Sequence, residues 1–171
     1  MRPVKLTKVT VKFPWVEGEW VADEAQQRAA WEMYVELVTR ISVAPLAPNE
    51  GLLREALASL YALFGETRRI LRQYGPGVAR RQGPGVLTFG EIAVDVLSRS
   101  LRPLLAEWHP ELAAHEATRP PDRSPFDHER AWPKAPALRG ALEDTRATLV
   151  AYLDLLAIVC DVTPLQAARS K

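Results

Sequence analysis

Arg102 and His109 stand out in the stretch LRPLLAEWHP as a pair of residue types that could do chemistry together. At about 100° per residue, their spacing puts them within roughly 20° of one face of a helix. A guanidinium can hold a phosphate oxygen, and an imidazole can move protons near neutral pH. Together they would suit cleavage of a phosphodiester. Arg123 and His128 repeat the two residue types in the stretch RSPFDH. His109, His115 and His128 also lie close in sequence to Glu111, Glu116 and Asp127, which are the donor types of a metal centre.

A plainer account competes with each of these. On a helical wheel Glu91, Asp95, Ser98, Arg102 and His109 share the face opposite Leu97, Leu101 and Leu104, which describes a solvated surface. Pro103 is expected to bend or restart the helix between the two residues. His109 precedes Pro110, where the helix is expected to end, and a cation is favoured at a helix C-terminus. This structural account is preferred to catalysis. Arg123 and His128 lie in a proline-rich connection, where Asp127 and Glu129 suggest surface ion pairing.

The Arg-x6-His spacing resembles the R-x4-6-H motif of HEPN ribonucleases, at its upper limit. That resemblance implies a small helical domain that dimerises and sets two such pairs in a shared cleft. His109 would then serve in acid-base chemistry at the ribose 2′-hydroxyl and Arg102 would hold the phosphate. The family usually has a polar residue after the arginine, and Pro103 stands there instead. The histidine cluster invites comparison with DinB-like four-helix metalloproteins, but their H-x3-H pair on a late helix is absent. No metal and no cofactor is therefore expected. The string FPWVEGEWVADEAQQRAAWEMYVELVTRISV resembles small, uncharacterised helical proteins of bacterial defence operons. This likeness covers about half the chain and carries no residue role.

Two further sets of residues are candidates for binding. Arg80 and Arg81, with Arg68, Arg69 and Arg72 before them, make the densest positive run, around the loop GPGVARRQGPG. It lacks the G-x4-G-K-[ST] pattern of a P-loop. A small anion or nucleic-acid phosphate is the weaker reading beside a flexible connector after a solvated helix end, where arginine is favoured anyway. Trp15, Trp20 and Trp132 lie in or beside connections, where exposed aromatics mark interfaces. Trp31 and Trp108 fall at core positions.

The elements that must position these residues follow from periodicity. Val9, Val11 and Phe13 alternate as a strand, while Val4 and Leu6 fall on the other parity, so a bulge is expected at Thr7-Lys8. Glu17-Gly18 is a candidate hairpin turn. Asp23 should cap a first helix reaching Ile41, with Ala30, Tyr34, Leu37 and Val38 inward and Trp31 and Val35 widening the stripe. Asn49 should cap a second helix, carrying Leu53, Leu57, Leu60, Phe64 and Leu71, that Gly75 closes. Thr88 and Glu91 form a capping box for a third helix. Ser124-Pro125 starts a short helix. A last helix spans 137–159, with Leu138, Leu142, Leu149, Leu153 and Leu156 inward.

These elements predict a mostly all-α protein, an antiparallel four-helix bundle with a short N-terminal β-strand or hairpin. The expected organisation is a single domain over 1–171: an arm over 1–22, the bundle over 23–160 and a tail over 161–171. With 171 residues, 47% of them hydrophobic and 25% charged, and a net charge of +1, the chain has the make-up of a soluble globular domain. Near-neutral charge excludes a whole-molecule field for nucleic acid or an acidic membrane. A single cysteine, Cys160, fits a reducing cytoplasm. No membrane span and no secretory leader is expected. The expected function is that of a non-enzymatic interaction or accessory protein, a subunit of a bacterial defence or conflict system. It would act on a protein partner or as a homodimer. The alternative is a HEPN-like ribonuclease.

Overall fold

The computed structural model describes residues 7–165. Val4 and Leu6, on which the expected bulge rests, and residues 166–171 of the expected tail lie outside them. The protein is mostly helical, with a small three-stranded sheet near its N-terminus. Strand β1 (Thr7–Phe13) pairs antiparallel with β2 (Val16–Ala22) in an unbroken register from Thr7↔Ala22 to Phe13↔Val16. The hairpin therefore turns at Pro14-Trp15, not at Glu17-Gly18. Proline suits a turn corner because its φ is preset, and Trp15 stacks on Phe13 with ring centroids 5.2 Å apart. Gly18 lies inside β2 for a different reason. A Cβ there would sit 3.2 Å from the Gly85 carbonyl oxygen and 3.3 Å from the Leu87 side chain. Its absence admits the third strand, β3 (Val86–Leu87), parallel to β2. Nothing in the sequence pattern announced that two-residue strand.

One face of the sheet carries Val9, Val11, Phe13, Trp20 and Ala22 into the core, while Lys8, Thr10, Lys12, Glu17 and Glu19 face outward. Trp20 is thus a strand residue at 0% exposure, not a loop aromatic. Its indole N–H donates to Gln26 Oε1 at 2.7 Å, and the same oxygen accepts from the Phe89 backbone N–H at 2.9 Å. This buried amide ties the sheet to two helices.

Helix α1 (Glu24–Val38) begins at Asp23, whose carboxylate accepts from the Gln26 N–H at 2.9 Å. It ends short of Ile41, which opens a 3-10 turn (Ile41–Val43). Its inner stripe is Gln26, Ala29, Ala30, Met33, Tyr34 and Leu37. Trp31 and Val35 each lie one residue past that stripe, about 100° round the helix, and remain exposed. Helix α2 (Leu53–Tyr74) starts without a side-chain cap from its own flank. Glu129 supplies the acceptor instead: its Oε1 takes the Leu53 N–H at 2.8 Å, replacing the expected Asn49 cap. Gly75, at φ 69°, ends α2 in a conformation that disfavours any side chain.

Helix α3 (Phe89–Val96) opens with the Thr88–Glu91 capping box and runs through a π-helical turn (Leu97–Leu101) into α4 (Arg102–Glu116). Pro103 is expected to bend or restart the helix, and the regular α-helix does restart there. Pro103 stands in the first turn of α4, just after the wider turn in which the Arg102 N–H reaches the Leu97 carbonyl and which accommodates the proline ring. Pro110 does not end the helix. Trp108 and Leu112 are buried on both sides of it, and packing outweighs the roughly 3 kcal/mol that an internal proline costs. Helix α5 (Pro125–Arg130), capped by Ser124, precedes α6 (Ala135–Val159). Helix α1 packs on α2 and α6, α2 also contacts α4 and α6, and α6 backs β1. Among the described residues, no helix is long and apolar enough to cross a membrane.

Candidate functional site

A polar cluster at one surface joins α2 to α4. From the first turn of α2, Arg54 reaches α4 with its whole fork. Its Nε and Nη2 donate to the two carboxylate oxygens of Glu116 at 2.9 and 2.8 Å. Its Nη1 lies 2.8 Å from Nδ1 of His109. A guanidinium can only donate. Nδ1 of His109 must therefore be the acceptor, and the neutral ring carries its proton on Nε2. The Tyr61 ring meets the His109 ring in a T-shaped arrangement, with centroids 5.8 Å apart at 86°.

Burial, and then the positive charge of Arg54, hold His109 below the ordinary value of 6.5, against an opposing pull from Glu116. Folded protein thus takes up this proton less readily than unfolded chain. The stabilisation is complete above the ordinary histidine value and is lost as pH falls from there through the lower value of the folded protein. A His109→Gln variant keeps an acceptor for Arg54 but cannot titrate. Its melting temperature should fall less than that of the parent between about pH 7 and pH 5. Parallel melting curves would show that another group carries the acid sensitivity.

The same geometry bears on the Arg102–His109 pair. A general base needs a free lone pair, and the only one on this neutral ring is occupied by Arg54. Arg102 is exposed and has no hydrogen-bond or ion-pair partner among the described residues. It stands about 10 Å along the axis from His109.

His115 and His128 form a second unit. Their rings stack with centroids 3.9 Å apart at 6°. Each Nε2–H donates to the other residue's backbone carbonyl at 2.8 Å. The pair clamps α5 to the end of α4. His128 and Glu129 are buried, which replaces the expected surface ion pairing. Trp132 stacks on His115 at 5.3 Å and meets Trp108 edge-on at 6.1 Å, so it belongs to this packed corner and is not an exposed anchor. A cleft of about 110 Å³ beside the histidines is smaller than a typical ligand pocket. Among the described residues, no three His, Cys, Asp or Glu side chains converge on a metal position.

The remaining sequence candidates separate. Arg81 is engaged by Glu91 and Arg69 by Glu32 and Glu66, so much of the positive run is already neutralised. Arg80 is exposed. Trp15 is half-buried against Phe13. Burial pushes the Cys160 thiol up to about 11, which keeps it protonated and a poor nucleophile.

Sequence reasoning missed the residue that most resembles a contact anchor. Trp31 is 42% exposed, yet it stacks on fully buried Tyr34 with ring centroids 5.6 Å apart at 20°. Val35, one turn on, is also exposed. A shallow cleft of about 290 Å³ lies beside the indole, with Cys160, Val162 and Tyr74 in its wall. Charged pairs surround it: Glu24 with Arg28, and Glu32 with Arg69. A finer reading of the wheel, with the stripe at Gln26, Ala30 and Met33, would have placed Trp31 outside.

No protein-family model, no curated protein and no solved structure matches the chain. Function must therefore be argued from the site itself.

Proposed function

We propose that this chain is a non-enzymatic interaction protein that presents a fixed aromatic face to a protein partner, as an accessory subunit of a bacterial defence system. In this reading α1, α2, the α3–α4 rod and α6 form an antiparallel four-helix bundle that serves as a rigid scaffold. The observation that carries it is Trp31: a half-exposed indole, held by a buried tyrosine, with an apolar neighbour and a charged rim. Binding surfaces concentrate their energy in such central aromatics, ringed by polar residues. Preordering the indole on Tyr34 lowers the entropy lost on contact. The defence setting rests on the likeness of the Phe13–Val43 string alone. The occupied lone pair of His109 favours binding over ribonuclease chemistry.

The test is Trp31→Ser. Sedimentation of the purified chain reads self-association, and site-specific crosslinking from position 35 in the host reads a different partner. Association should weaken about thirtyfold, as for loss of a central tryptophan. The melting temperature should hardly move. If every association survives the substitution, the reading fails. RNA cleavage that depends on His109 would replace it with the ribonuclease reading.

A further inference from the structure

A cleft of about 490 Å³ opens between the segment after α1 and the first half of α6, away from both Trp31 and the histidine corner. Its size falls within the range of small-molecule sites. Leu46, Pro48, Ala56 and Leu142 make much of its wall apolar. Its polar groups are few and grouped. Ser42 contributes a hydroxyl that shares a 3.1 Å hydrogen bond with Ser59. Arg146 is taken up by Glu143, with Nε donating to Oε2 at 2.8 Å. Arg139 is half-buried on the same helix and has no hydrogen-bond or ion-pair partner among the described residues. Two arginines and one glutamate leave the cleft with one uncompensated positive charge.

We propose that this cleft binds a small amphipathic anion, a carboxylate bearing an apolar chain. The chain would lie along Leu46, Pro48 and Leu142, and the carboxylate would accept from Arg139. A planar guanidinium matches a carboxylate with two parallel hydrogen bonds. A single negative charge completes the local balance. A dianionic phosphate would exceed it and would meet Glu143. Burial of the chain supplies the affinity, and Arg139 supplies the choice of head group.

Calorimetric titration of the full chain with decanoate, decan-1-ol and acetate tests each part. Decanoate should bind about tenfold more tightly than the alcohol. Acetate, which lacks the chain, should give no measurable binding. Arg139→Gln should bring the acid down to the level of the alcohol and leave the alcohol unchanged. Leu46→Glu, in the loop wall, should weaken decanoate by at least about tenfold while circular dichroism stays that of the parent. Arg68→Gln, on α2 outside the cleft, should change nothing. Absence of decanoate binding, equal affinity for acid and alcohol, or a preference that survives Arg139→Gln would each overturn the proposal.

Discussion

Gln26→Leu should destabilise the protein by about 2–6 kcal/mol, far more than a near-isosteric change of one side chain ordinarily costs. The leucine fills similar space but removes the oxygen that accepts from both the Trp20 indole and the Phe89 backbone N–H. Both donors are buried, and each orphaned donor costs about 1–3 kcal/mol. Equilibrium unfolding in urea reads the sum. A Trp20→Phe background separates the two parts, because it has no indole N–H to strand. There the same Gln26→Leu change should cost about 1–3 kcal/mol less. A cost below about 0.5 kcal/mol in the parent would mean that the amide is not the junction of β2, α1 and α3.

Leu57→Ala and Leu149→Ala should each cost about 2–5 kcal/mol, from lost burial together with the cavity left behind. Both leucines are at 0% exposure, on α2 and α6. These two helices pack on one another, so neither site can collapse without moving its neighbour. Val35→Ala is the control. That side chain is exposed, and its loss should stay within about 0.5 kcal/mol of the parent. Small losses at both leucines would show that the inner faces of the helices have been misplaced.

Features written within four or five residues of themselves were legible in advance. Asp23 caps α1, Thr88 and Glu91 form their box, Ser124 caps α5, and Gly75 ends α2. Each depends on a side chain or a φ angle acting on the adjacent turn, so neighbouring residues contain the whole interaction. The alternation of Val9, Val11 and Phe13 likewise named the buried face of β1. What proved illegible was everything decided by a distant residue. The Leu53 N–H is capped from Glu129, 76 residues away, and no local pattern could show it.

The candidate site divides along the same line. The sequence by itself determined which residues could do chemistry, and it placed Arg102 and His109 on one helix. Only the tertiary structure decided that His109 spends its lone pair on Arg54, 55 residues earlier, and that Arg102 stays exposed. It also decided that Trp20 is buried while Trp31 is not, the reverse of the expectation from their positions. The physical reason is that capping and periodicity are short-range, whereas burial and hydrogen-bond partnership depend on which elements meet. A helix pattern states that one face is apolar, but the edge of that face is set by the neighbour that covers it.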